Sequence, residues 1–222
     1  MGPLTIAHSL KKEEENLLHQ SGVPYQALPF TEIVPLAIDW PKSSFDYLVI
    51  SSPQVVLRLL EEKPPYSLPL VVVGEKSAAS LKKAGYTIVH QVTRGALLSD
   101  FFQHHRRQYY LFIRGDRGGR DILMLCQRLK INYQEVIAYR LLLKPHILNI
   151  QPGALVFFSP AAIECFLQVQ DIAGIPVYCI GPTTAAALPE GVIAKYPPKP
   201  SRLATLQLAL TYFKAKEEAG WV

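Results

Sequence analysis

The sequence predicts an α/β protein built twice over, with parallel sheets flanked by helices. Three observations carry that prediction. Short apolar runs alternate with helical stretches along the chain, the runs are rich in Val, Ile and Tyr, and two pairs of motifs recur at one fixed offset. In the first half, strands are expected at 3 to 8, 25 to 30, 46 to 51 and 69 to 73, with helices at 11 to 21, 53 to 61, 76 to 84 and 95 to 104. The second half repeats the order, with strands at 110 to 114, 134 to 140, 154 to 159 and 176 to 180. Its helices are expected at 119 to 129, 161 to 168, 183 to 188 and near 201 to 217. Apolar runs of this length that do not alternate with polar residues suit strands covered on both faces. Ser-Pro before the stretches at 53 and 161 is helix punctuation: the serine caps and the proline presets the first helical φ.

The repeat is explicit. VISSPQVVLRLL at 49 to 60 aligns with VFFSPAAIECFL at 156 to 167, an offset of 107 residues, so Ser52 meets Ser159 and Pro53 meets Pro160. Carried onward, VVGEKSAASL at 72 to 81 falls on CIGPTTAAAL at 179 to 188, and Gly74 meets Gly181 while Ser77 meets Thr184. Upstream, LTI at 4 to 6 faces LFI at 111 to 113, and YQAL at 25 to 28 faces YQEV at 133 to 136. Both motif pairs sit where a strand gives way to a helix, the end of a parallel sheet at which ligands bind. Each junction alone is ordinary capping. Four junctions in two matched pairs ask for more, because capping does not require the same residue types at the same spacing. Four helix starts converging on a cleft would receive an anion.

Composition bounds the partners. The 222 residues are 49% hydrophobic and 18% charged, which describes a globular chain with a substantial core. No apolar run approaches the ~18 residues needed to cross a bilayer, so no membrane association is expected. KKEEE at 11 to 15 stands where a secretory signal would need apolar residues, so a cytoplasmic protein is expected. Cys126, Cys165 and Cys179 lie among apolar neighbours without CxxC spacing and read as reduced core residues. A net charge of +5 suits an acidic partner. The basic run HHRRQYY at 104 to 110 reads as a solvated helix end before a strand, so nucleic acid is not expected. The six histidines show no HxxxH spacing, and no metal is expected. IRGDRGGR at 113 to 120 lacks both the GxGxxG order and the GK[ST] ending of nucleotide loops.

DYLVISSPQVV, VVVGEKSAASLKKAGY, LFIRGDRGGRDILMLCQRL, EVIAYR, ALVFFSPAAIECFL and YCIGPTTAAAL, in this order, resemble the uroporphyrinogen-III synthase family over nearly the whole chain. The resemblance implies a cofactor-independent hydro-lyase of tetrapyrrole and haem biosynthesis. Its substrate is hydroxymethylbilane, a linear tetrapyrrole with eight carboxylates, closed to uroporphyrinogen III with loss of water and inversion of the terminal pyrrole. It implies two α/β domains joined by two crossing strands, with the active site in the interdomain cleft. Mapped onto this chain, residues 1–35 and 142–222 would form a discontinuous domain and 36–141 an inserted one. Closure on the ligand would run through segments near 30 to 36 and 139 to 145. A monomer is expected, with hand-over of substrate from the preceding enzyme of the pathway. A non-catalytic two-domain receptor for a polycarboxylate or other small anion is the alternative.

The resemblance also assigns residues. Tyr139, in EVIAYR, matches the family's cleft tyrosine and would assist departure of the hydroxyl; a phenol is a weak acid, so it is an assisting donor. Ser51, Ser52, Ser77, Ser159, Thr183 and Thr184 would bind substrate, with the Gly181-Pro182 turn before the last two. Lys76 and Arg114 are the expected carboxylate contacts, with Arg114 preferred to Arg117 and Arg120 because it follows a strand directly. Many relatives have an arginine shortly after the first strand, where this chain has His8 and Ser9; if that arginine binds a carboxylate in them, His8 or Lys11 must substitute or the contact is absent.

Overall fold

The computed structural model describes residues 2–65 and 67–219. The chain opens with β1 (Leu4–Ile6), α1 (Lys12–Ser21), β2 (Tyr25–Ala27) and β3 (Thr31–Pro35). β4 (Tyr47–Ile50), α2 (Pro53–Glu61), β5 (Leu70–Val73), α3 (Glu75–Lys83) and β6 (Ile88–Val92) follow. A 3-10 turn at Gly95–Leu98 then runs into α4 (Ser99–His104). The second half comprises β7 (Tyr109–Gly115), α5 (Arg120–Leu129), β8 (Asn132–Leu143), β9 (Ala154–Phe157) and α6 (Pro160–Leu167). It ends with β10 (Val177–Cys179), α7 (Pro182–Ala185), β11 (Ala194–Lys195) and α8 (Arg202–Glu218).

Two sheets result. One has the order β11-β10-β9-β1-β2 and the other β3-β8-β7-β4-β5-β6. Strand pairs of the first sheet are parallel, as are those from β8 to β6 in the second. β3 lies antiparallel along β8: Leu36 N–H donates to Ala138 O, and Lys144 N–H donates to Phe30 O, so one strand's numbers rise as the other's fall. Contacts divide the chain into a unit of Met1–Glu32 with Leu142–Val222 and a unit of Ile33–Leu141, so the chain changes unit once within β3 and once within β8.

The sequence repeat is a structural repeat. Tyr47 and Ala154 open equivalent strands, Pro53 and Pro160 equivalent helices, Leu70 and Val177 equivalent strands, each pair 107 residues apart. The sheets run β2-β1-β9-β10-β11 and β8-β7-β4-β5-β6, the same order with the copies exchanged. The five-stranded sheet therefore takes two strands from the first copy and three from the second, and the six-stranded sheet two from the second and, with β3 added at its edge, four from the first.

Physical chemistry accounts for these strands. In β4, Leu48 and Ile50 pack on one face with α2 and α3, while Val49 packs on the other with Phe102 and Ile122. In β9, Leu155 and Phe157 face the α6 layer and Ala154 and Val156 the α8 layer. Successive side chains of a strand point to opposite faces, so a sheet covered twice needs apolar residues at both. Cys126, Cys165 and Cys179 are buried and unbridged, and burial pushes the Cys126 and Cys179 thiols up to about 12. Serine caps recur at three helix starts: Ser52, Ser159 and Ser201 accept from the amides of Gln54, Ala162 and Ala204.

Three strands lie outside those expected from apolar runs. β6 reads IVHQV and alternates half-buried with exposed residues; it is an edge strand, with only one neighbour. β3 carries a terminal proline, tolerated because it too is an edge strand. β11 has two residues, too few to form a run. β8 is also longer than 134 to 140, and α7 has four residues where the sequence pattern reached to 188.

Phe157 is fully buried at the centre of the five-stranded sheet. Phe157→Ala should cost about 3–5 kcal/mol through lost transfer energy and the cavity left behind. Denaturant unfolding checks this, and a loss below about 1 kcal/mol would contradict the tight packing of this layer.

Candidate functional site

At the carboxyl end of the six-stranded sheet, four strands deliver candidate residues. β4 ends at Ile50 and leads through Ser51 and Ser52 into α2. Ser52 is extended, and its Oγ accepts the Gln54 amide at 3.2 Å. Tyr139, in β8, brings its hydroxyl to 2.9 Å from that same Oγ. Ser52 thus caps a helix and meets a buried phenol at once, which a cap alone does not require. β5 leads through Gly74 into α3, where Ser77 is buried and Lys76 exposed.

β7, which ends in Arg114 and Gly115, leads into α5 through the loop from Asp116 to Gly119. Gly119 has φ +75°, the left-handed region that glycine enters without strain, and a Cβ there would stand 3.5 Å from Ser51 Oγ and 3.7 Å from Arg114 Cδ. The structure therefore brings Ser51, Ser52, Arg114 and Tyr139 around one loop. Arg114 does not extend from it. Its Nε donates to Glu135 Oε2 at 2.7 Å, and its Nη1 faces the carbonyls of Gly115, Asp116 and Gly118 at 2.8, 3.1 and 3.0 Å. Arg120 begins α5, and Arg117 is exposed.

The five-stranded sheet carries the matching set. Ser159 caps α6, its Oγ accepting the Ala162 amide at 3.3 Å. Gly181 is extended and packs beneath Pro200, where an added Cβ would lie 3.3 Å from the ring. Thr183 is exposed and Thr184 buried. The first amides of α7 are not all open to an anion. Those of Thr184 and Ala185 donate to Gly181 O at 3.2 and 3.1 Å, and Pro182 has no N–H, so the Thr183 amide and the hydroxyls are what this turn can offer.

Sequence spacing left open which cation stands after β1. The structure places Arg202, the first residue of α8, against that turn. Its Nη2 donates to Ser9 O at 2.6 Å and to Glu14 Oε2 at 2.7 Å, and its guanidinium lies 4.4 Å from the centre of the Phe158 ring. Glu14 is buried, and its carboxylate also accepts the Lys11 amide at 2.8 Å, so the buried charge is both paired and hydrogen-bonded. Lys11 is exposed. Burial lowers the His8 pKa, only partly countered by the hydrogen bond to Ser9 O; nearby Arg202 and Lys11 lower it further and Glu14 raises it. Sequence reasoning missed Arg202, because nothing in its own segment points to a partner 193 residues earlier.

HHRRQYY closes α4 and opens β7. The His104 and His105 rings bond the carbonyls of Asp100 and Phe101 one turn back, and Arg106 and Arg107 are exposed. Among the described residues no group of three or more His, Cys, Asp or Glu could hold a metal ion. Among them, too, no helix is long and apolar enough to cross a membrane.

Fold and junctions together define a duplicated α/β protein that presents hydroxyls, cations and one tyrosine at the carboxyl ends of its sheets, the arrangement of a small-molecule enzyme or receptor. A family model described as uroporphyrinogen-III synthase HemD matches residues 12–204. The chain belongs to the uroporphyrinogen-III synthase family. Comparison with curated proteins found no significant match. Among solved structures, uroporphyrinogen-III synthetase from Helicobacter pylori is similar in fold, with a TM-score of 0.71 at 21% identity, covering 96% of this chain and 100% of that one. A mutant uroporphyrinogen III synthase from Thermus thermophilus gives 0.69 at 17% identity over 97% of this chain and 100% of that one. The wild-type Thermus enzyme in a second crystal form gives 0.53 at 19% identity over the full length of both.

Because the folded pKa of His8 lies below its ordinary 6.5, the native state takes up the proton less readily than the unfolded chain. The contribution of neutral His8 to stability is complete above pH 6.5 and declines as pH falls below it. His90, also lowered by burial, acts in the same direction. His8→Gln should therefore flatten, without abolishing, the fall in melting temperature between pH 6.5 and about pH 5. An unchanged slope would place the acid sensitivity elsewhere.

Proposed function

We propose that this chain closes hydroxymethylbilane to uroporphyrinogen III as a cofactor-independent hydro-lyase, losing the substrate's hydroxyl as water and inverting its last pyrrole. The observation that carries the proposal is the Tyr139 hydroxyl held 2.9 Å from Ser52 Oγ at the carboxyl end of the six-stranded sheet, in a chain of this family.

The reaction needs a proton for the departing hydroxyl, stabilisation of the azafulvene cation left behind, and a shape that brings the terminal pyrrole's substituted carbon to it. Tyr139 is the assisting donor. Ser52 can accept the phenolic proton or donate its own, so the two hydroxyls can change roles as the leaving oxygen draws a hydrogen bond. Carboxylates of the substrate are received by the hydroxyls of Ser51, Ser77, Ser159, Thr183 and Thr184, by the Gly181-Pro182 turn and by Lys76. A net charge of +5 complements eight carboxylates. Most of the rate comes from holding a flexible chain near its closed form, where orientation replaces side-chain chemistry.

Incubation with freshly made hydroxymethylbilane, followed by separation of product isomers, tests the activity. The type III isomer is expected, and type I alone, the product of spontaneous closure, would leave a non-catalytic receptor. Tyr139→Phe should lower turnover on the order of 10²-fold, the low end for a positioned acid, while the spared binding groups keep a residual rate. Wild-type turnover in that variant would remove Tyr139 from the mechanism.

A further inference from the structure

We infer that Arg114 serves Tyr139 and not the substrate: with Glu135, Gly115 and a bulge in β8 it forms a device that fixes the tyrosine hydroxyl on Ser52. The inference rests on the proposed role of Tyr139 for its catalytic consequence, but the positioning itself can be read without it.

The register of β7 on β8 is regular from Tyr109 opposite Asn132 to Arg114 opposite Ile137, and then jumps to Gly115 opposite Tyr139. Ala138 is the extra residue. In a regular strand Ala138 and Tyr139 would point to opposite faces; here both pack into the cluster formed with Ile50, Val56 and Ile113. The bulge thus turns Tyr139 to the face on which Ser52 waits. Bulges bend a strand and re-aim a side chain at the cost of a ladder hydrogen bond, so something must hold the new course.

Three groups hold it. The Asp116 amide donates to Tyr139 O at 3.1 Å, and Asp116 Oδ1 accepts the Leu141 amide at 3.1 Å, which pins β8 just beyond the bulge. Gly115 supplies the space: a Cβ there would lie 2.3 Å from Tyr139 Cζ and 2.7 Å from its hydroxyl oxygen, so the ring rests on bare backbone. Arg114 holds the loop that presents both. Its Nη1 has two hydrogens for the three carbonyls of Gly115, Asp116 and Gly118, and its Nε is taken by Glu135. A lysine could not span these acceptors with one fixed fork. A guanidinium with its Nε and Nη1 turned to protein acceptors, and a side chain only 14% exposed, is a structural clamp.

Glu135→Gln and Gly115→Ala test this, each alone and in the Tyr139→Phe background. Steady-state kinetics would be measured together with the 13Cζ tyrosine resonance that disappears in Tyr139→Phe. Both variants should move that resonance and lower kcat on the order of ten-fold with KM changed less than about two-fold, since a small displacement of a catalytic group costs turnover more than binding. Neither should lower kcat further once Tyr139 is phenylalanine. An unmoved resonance with wild-type kcat, or a changed KM at constant kcat in Glu135→Gln, would overturn the inference, the latter by returning Arg114 to the substrate. Should Gly115→Ala fail to fold, Glu135→Gln decides alone, because it keeps the side chain's size and an acceptor. Should Tyr139→Phe retain wild-type turnover, the proposed chemistry fails, and the resonance still decides the positioning.

Discussion

Two strand pairings, β1 with β9 and β4 with β7, hold the rest of this structure in place. Each joins one copy of the repeat to the other, through Leu4 to Ala154 in one sheet and Tyr47 to Tyr110 in the other. Neither sheet can be completed by one copy alone, so each core is made of segments far apart in the chain. The entropy of bringing such segments together is offset only once the apolar residues of these strands are buried, as Leu4, Leu155, Ile50 and Leu111 are.

The same pairing builds the candidate site. Ser52 leaves β4, from the first copy, while Arg114 and Tyr139 come from β7 and β8, from the second. Adjacent parallel strands end side by side, and their loops meet over the sheet's carboxyl edge. The two edges have nonetheless diverged. Gly115 corresponds to His8 at the 107-residue offset. Where one sheet removes a side chain to seat a phenol, the other keeps a half-buried imidazole beside Arg202 and Phe158. One edge carries the proposed proton donor, and the other an Arg202–Glu14 ion pair beside that imidazole.

Local reading reached the residues whose roles are local. Ser52 and Ser159 are caps because serine before proline can satisfy a free amide wherever it stands, and both were legible from the motif and its repetition. Roles set by partners distant in sequence were not. Arg114 read as a carboxylate contact because it follows a strand, and the structure turns its Nε to Glu135 and its Nη1 to three carbonyls. Arg202, which no motif singled out, meets a turn 193 residues earlier. At the Gly181 turn the amides looked open to a ligand, but a four-residue helix spends two of them on its own first carbonyl.

By itself the sequence determined the α/β class, the doubly covered parallel strands and the duplication, because apolar pattern, turn chemistry and repeat spacing are properties of short segments and their order; the family came from the resemblance of its ordered motifs. Only the tertiary structure decided that β8 bulges at Ala138 and that Tyr139 meets Ser52 over a bare glycine. A register shift of one residue leaves composition and periodicity almost untouched but reverses the face of the side chain that follows. The position of the phenol is therefore a property of pairing, which exists only once the strands have met.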